Sequence, residues 1–129
     1  MSSCIIYRSI KPYFKSEKYL MLSNLSDRIS ICKFRCRNIK IPVVILGYAN
    51  SNTAYENRLC SICDMNEVGD EYHYILKCPA FQDHRNRYLS EFYITNPNME
   101  KFAQLFQSSN NTVLCKLAKF TYEINRRFR

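Results

Sequence analysis

The chain of 129 residues has no tryptophan, two glycines and four prolines, and it has no long apolar segment. The low glycine and proline content excludes collagen-like and low-complexity chains. Together with 47% apolar and 23% charged residues, it is typical of a folded globular protein. The longest apolar run, residues 41–49, contains Pro42 and Gly47 and is far shorter than the roughly 20 residues of a membrane helix. No membrane span is therefore predicted.

The N-terminus lacks the basic start and apolar stretch of a secretory signal, which predicts an intracellular protein, nuclear or cytoplasmic. In a reducing compartment the seven cysteines, an odd number, are not expected to form a disulfide framework. Clustered cysteines then indicate a metal site, and scattered ones indicate core packing.

Acidic residues are scarce in the first half of the chain. Residues 1–58 carry ten basic and three acidic side chains, whereas residues 59–129 carry nine basic and eight acidic ones. Most of the net charge of +8 therefore lies in the first half. A basic region of this kind attracts polyanions, so the predicted partner is nucleic acid, either RNA or DNA. The predicted phosphate-binding residues are Lys33, Arg35, Arg37, Lys40 and Arg58.

Hydrophobic periodicity predicts a mainly α fold. One helix is predicted over residues 23–37, and its predicted buried stripe consists of Leu22, Leu25, Ile29, Cys32 and Cys36. Residues 41–47 are expected to form a short strand or an extended connector. Further helices are predicted over residues 16–22, 70–78, 81–93 (with Tyr88, Leu89 and Phe92 inward), 97–106 and 112–128.

A chain of this length is expected to form one domain, because two separate cores would each be too small to be stable. Residues 1–50 are predicted to be a basic helical part and residues 51–59 a polar loop. Residues 60–84 are predicted to bind a metal ion, and residues 85–129 to form C-terminal helices.

Three cysteines and a histidine occur at the spacing CxxCx₉HxxxxC, formed by Cys60, Cys63, His73 and Cys78. Three thiolates and one imidazole suit a tetrahedral Zn²⁺ ion, and a closed set of four protein ligands leaves no position for catalysis. The predicted fold is thus a small helical domain organised around one structural zinc site, with a short β-hairpin considered at the CxxC turn.

Alternatives remain for individual residues of this pattern. The cysteines could be small buried hydrophobic residues, and His84 competes with His73 as the fourth ligand. Cys32 and Cys36 could form half of a second site, but their place on an apolar stripe favours core packing.

The segment RLCSICDMNEVGDEYHYILKCPAFQDHRNRY resembles the cysteine-rich region near the C-terminus of non-LTR retrotransposon reverse transcriptases. The upstream run, residues 13–50, is similar to the basic linker that precedes this region in the family. The resemblance implies a zinc-stabilised module that binds the RNA of the element or its target DNA. No polymerase accompanies it here, so the chain is expected to be a truncated copy or a separately expressed remnant. The resemblance depends on Arg58, Cys60, Cys63, Glu67, Glu71, His73, Cys78, Pro79, Phe81 and Arg85.

The leading hypothesis is a zinc-stabilised nucleic-acid-binding module that is not itself an enzyme. The alternative is a structural zinc module that mediates protein–protein interaction. Catalysis is not predicted, because no nucleophile motif or phosphate-binding loop accompanies the two histidines.

Overall fold

Helices form the regular structure of the protein, as the periodicity predicted. The structure is a computed structural model that describes Leu22, residues 24–47 and residues 53–128. The helix predicted over residues 16–22 lies outside these residues, apart from Leu22, which is not helical. The α-helices are α1 (Leu25–Arg35), α2 (Pro42–Ile45), α3 (Gln82–Tyr88), α4 (Glu91–Ile94), α5 (Met99–Phe106) and α6 (Asn111–Arg127). Short 3₁₀ turns cover Tyr55–Asn57 and Pro79–Phe81, and a π turn covers His73–Lys77.

Helix α6 is the longest of the described helices, and several other elements of the core pack against it. It begins where the Asn110 side chain accepts hydrogen bonds from two backbone N–H groups of the first turn. Its buried face contains Leu117, Phe120 and Ile124, which recur at helical spacing as predicted. Helix α1 packs across α6, and α3 and the π turn also contact it. The core thus joins both halves of the chain.

The predicted buried face of α1 is only partly right: Leu22 is buried as predicted, but the helix turns a different face to the core. Leu25 is 60% exposed and Ile29 is 46% exposed, whereas Ile31 and Phe34 are buried against the core. The helix is rotated so that Ile31 and Phe34 join the hydrophobic cluster that the buried side chains of α6 also form. Cys36 is exposed, and Cys32 is only partly buried.

Two other local predictions are corrected. Residues 41–47 contain the short helix α2, not a strand, because Pro42 stands at the first helical position, where its fixed φ is favourable. The helix predicted over residues 81–93 is interrupted at Leu89, which is extended and buried. Phe92, which was predicted to be buried, is 55% exposed as a result.

The remaining helix predictions are confirmed in outline. Helix α5 begins after Asn98, whose side chain accepts a hydrogen bond from the backbone N–H of Lys101 at 2.8 Å, and its buried face includes Phe102, Leu105 and Phe106. Among the described residues, no helix has the combination of length and apolar character needed to cross a membrane. The division of the chain into parts stays a prediction.

Candidate metal centre

The four predicted ligands converge on one point. The ligand atoms of Cys60, Cys63, His73 and Cys78 all lie within 4.8 Å of one another. His84 is not among them; its Nε2 lies 3.5 Å from the carboxylate of Glu123. Of the two histidines, His73 is the one that lies with the three cysteines.

The CxxC turn follows a single antiparallel bridge between Leu59 and Val68. The Cys60 N–H donates to the carbonyl of Glu67 at 2.8 Å, and the Gly69 N–H donates to the carbonyl of Arg58 at 2.8 Å. These bonds hold the two cysteines of the turn beside the segment that leads to His73. Within the described part of the chain, the hairpin considered at this turn is reduced to this one bridge.

The π turn gives His73 and Cys78 a common direction. In a regular α-helix, residues five apart point about 140° away from each other. Here the Cys78 N–H donates to the His73 carbonyl at 2.7 Å, so the helix is widened to a five-residue hydrogen-bonding period. Pro79 then prevents the helix from continuing in register. This wider turn brings the two ligands to the same side.

Two of the distances between ligand atoms match those expected around a tetrahedral ion. The Sγ atoms of Cys60 and Cys78 are 3.9 Å apart, and Cys63 Sγ lies 3.4 Å from His73 Nε2. Metal–ligand bonds of about 2.3 Å to sulfur and 2.0 Å to nitrogen imply tetrahedron edges of about 3.8 Å and 3.5 Å. The cysteines are free thiols, so no disulfide explains their approach. The cluster could hold one metal ion.

A carboxylate lies on the far side of His73. Its Nδ1 lies 3.4 Å from Oε1 of Glu67, and the other oxygen of Glu67 accepts a hydrogen bond from Lys77 at 2.9 Å. Burial lowers the pKa of His73, and the nearby Glu67 does not fully offset this. The ring is thus favoured in its neutral form, in which Nε2 can bind a metal. A carboxylate behind a ligating histidine is a common support of metal sites.

The thiols also fit a bound cation. The Tyr74 hydroxyl is buried without a conventional hydrogen-bond partner, and it lies beside Cys60. Burial raises the pKa of Cys60, but the neighbouring Tyr74 hydroxyl and backbone N–H groups lower it more, so the net shift is downward. Burial raises the pKa of Cys78 to about 12. Ionising Cys78 in this environment therefore calls for a compensating positive charge, which a metal ion would supply.

Three of the five predicted phosphate-binding residues are engaged inside the protein. Arg35 is buried. Arg37 donates two hydrogen bonds to the buried carboxylate of Glu71, at 2.8 and 3.1 Å. Arg58 donates to the carbonyls of Thr53 and Val43. Lys33 and Lys40 are the two that are exposed.

Lys33 and Lys40 line one groove together with Asn125 and Phe128, which were not predicted to be binding residues. The groove has a volume of about 300 Å³ and lies between the segment that follows α1 and the end of α6. Asn125 contributes from α6 and Phe128 from the residue that follows this helix, and Arg127 is exposed on its last turn. No local pattern links these distant segments, because only the packing of α1 on α6 brings them together. The groove is lined by Lys33, Arg37, Asn38, Ile39, Lys40, Asn125 and Phe128.

Comparison with known proteins gave no match, whether to protein-family models, to curated proteins or to solved structures. The geometry of the described residues therefore carries the functional interpretation.

Proposed function

We propose that the protein is a zinc-stabilised nucleic-acid-binding module with no catalytic activity of its own. Zinc is the proposed ion because three cysteines and one histidine, with their ligand atoms within 4.8 Å of one another, are a typical structural zinc set. All four positions would be taken by protein ligands, which leaves none for a substrate or an activated water. The ion would fix the fold and take no part in a reaction.

The basic groove is the observation that carries the nucleic-acid proposal. Lys33 and Lys40 line this groove. Of the five predicted phosphate-binding residues, they are the two whose side chains are exposed. The net charge of +8 favours the approach of a polyanion. The half-buried ring of Phe128 at the groove offers an apolar surface beside these charges. The resemblance to the reverse transcriptase region agrees with this proposal, and the retrotransposon origin stays a prediction.

The metal centre holds the groove in place through Arg37. This residue lines the groove, and its guanidinium binds Glu71, two residues before the ligand His73. Its backbone has a positive φ of 56°, so the chain turns sharply at the end of α1. The ion pair thereby connects the basic segment to the metal-binding segment.

Binding should depend on the two groove lysines and on salt. We would measure fluorescence anisotropy of labelled single-stranded RNA and DNA at several salt concentrations, with the variant K33A/K40A. If both lysines contact phosphates, affinity falls in the variant. The plot of log K against log salt, which has a negative slope, should also become shallower by about 1.4, since each contact contributes about 0.7 for a single strand.

The matched control is R87A/K116A, which removes the same charge from two exposed positions that line a different pocket. This variant should bind almost as well as the wild type. Equal losses in both double variants would indicate attraction by net charge alone, and absence of binding at low salt would refute the proposal.

A second candidate function is protein–protein interaction by the exposed side of α1. Leu25 and Ile29 are one turn apart and together form an apolar surface open to solvent. A partner bound there would be insensitive to salt and would be lost in L25S/I29S, whereas K33A/K40A would leave its binding unchanged.

A further inference from the structure

Arg85 is a fully buried cation, and it is the largest fully buried side chain among the described residues. Its Nε donates to the carbonyl of Ile75 at 2.8 Å and its Nη2 to that of Tyr74 at 3.0 Å. Nη1 donates to the side-chain oxygen of Gln82 at 3.1 Å. All three acceptors are neutral, and no carboxylate of the described residues forms an ion pair with this guanidinium. A buried cation without a counter-charge is unfavourable.

The π turn explains the hydrogen bonds of Arg85. The Cys78 N–H is already bonded to the carbonyl of His73, and the next residue, Pro79, has no N–H. The carbonyls of Tyr74 and Ile75 therefore need donors from elsewhere, and Arg85 supplies them. A neutral amide side chain could also donate to these carbonyls. The hydrogen bonds alone thus do not account for a buried charge.

The metal centre, once occupied, would supply the missing negative charge. A divalent ion with three thiolates and a neutral imidazole has a net charge of −1. Cys78 is completely buried at the end of the turn that Arg85 contacts. Burial lowers the pKa of Arg85 to about 10, and Cys78 in its ionised form would oppose this shift. The guanidinium also lies over the ring of Phe120 in α6, 5.9 Å from its centroid.

We propose that Arg85 is the buried counter-charge of the metal centre: a positioning residue that stabilises the anionic three-thiolate form and holds the Cys78 turn against α6. The inference rests on the proposed zinc site. It makes metal affinity depend on a residue of α3 that is not a ligand.

Three substitutions at this position separate charge from packing. R85K keeps the positive charge, R85Q keeps hydrogen-bond donors without charge, and R85M keeps only bulk. Zinc affinity, measured by competition with a chelating dye, should fall at least about tenfold in R85Q and R85M, as for other residues that support metal ligands. R85K should retain most of the affinity. The matched control R87M, on the exposed side of α3, should bind zinc like the wild type.

A change of ligand tests the charge directly. C63H would convert the site to two thiolates and two imidazoles, which is neutral with a divalent ion. In this background, R85Q should reduce zinc affinity by less than about threefold, since no net negative charge remains to be compensated.

Two results would overturn the inference. One is equal zinc affinity in R85K and R85Q, which would mean that Arg85 acts by packing and hydrogen bonding alone; this comparison does not depend on C63H folding. The other is an equal effect of R85Q with and without C63H. Wild-type protein that binds no zinc would refute the proposed site itself, which is a different outcome.

Discussion

At the scale of single residues, the metal centre depends on a close approach at Gly69. A Cβ atom at this position would lie 2.8 Å from the buried Tyr74 hydroxyl and 2.9 Å from the ring of Pro42. It would also lie 3.1 Å from the Cα of Cys60, a ligand residue. The glycine therefore lets the CxxC turn, α2 and the π turn meet without a side chain between them.

G69A should destabilise the protein by about 1–3 kcal/mol, because the added methyl group forces apart atoms that are already in contact. It should also weaken zinc binding, since the methyl group displaces Cys60. Urea denaturation and a zinc competition titration measure the two effects.

The other glycine provides a comparison. The nearest atoms to a Cβ at Gly47 belong to the end of the Arg58 side chain, which could shift at the cost of its hydrogen bonds, and the Val43 carbonyl oxygen would lie at 3.0 Å, so G47A should be the milder change. A G69A protein as stable as G47A would show that the close approach at Gly69 is unimportant.

At the scale of elements, two buried side chains join the basic segment to the metal-binding segment. Glu71 is 1% exposed and sits immediately before the π turn, and Arg37 lies just after α1. While they are paired, the positive charge of Arg37 and the negative charge of Glu71 compensate each other inside the protein. Removal of one partner would leave the other buried and uncompensated.

E71Q should reduce the free energy of unfolding by about 3 kcal/mol, because the shape is preserved while the Arg37 guanidinium loses its counter-charge. Urea denaturation of the zinc-bound protein measures this. The control E100Q changes an exposed glutamate in the first turn of α5 and should alter stability by about 0.5 kcal/mol or less. If E71Q were as mild as E100Q, the ion pair would not be a structural connection.

The sequence predicted the ligands and the outline of the helices, but not how the helices face one another. The ligand spacing is local, so CxxC and HxxxxC could be recognised directly, and the period of α6 gave its buried face. The rotation of α1 depends on α6, some 80 residues away, and periodicity also matched the stripe that contains Leu25 and Ile29. The π turn was missed because the same residues have the spacing of an ordinary α-helix.

The dependence on tertiary packing also explains why the contacts of the arginines were not predicted. Arg35, Arg37 and Arg58 look like solvent-exposed charges in the sequence, and only tertiary contacts show that they are engaged inside. Arg85 was visible only through the family resemblance, which gave it no role.

At the scale of the whole molecule, the proposed ion lies beside the core. The residues between His73 and Cys78 include Tyr74, Ile75 and Leu76, which are at most 2% exposed. They pack with side chains of α3 and α6 in one hydrophobic cluster. The metal ligands and the core therefore share the same short segment, and loss of one should weaken the other.

Removal of zinc by a chelator should lower the melting temperature by about 10 °C or more, since a ligand present at 1,000 times its Kd contributes about 4 kcal/mol. Circular dichroism follows the melting, and added zinc should restore it. C78S should melt near the temperature of the chelated protein and gain little from zinc. A melting temperature unaffected by the chelator would exclude a structural role for the ion.

The five-residue turn from His73 to Cys78 has a kinetic consequence. If the empty segment rewound to four-residue bonding, Cys78 would point away from His73, and capture of a new ion would first require the helix to widen again. Uptake of the metal would then be coupled to a local change in helix winding, on the timescale of helix–coil events. A protein built this way would form its ion site and its five-residue turn in the same step.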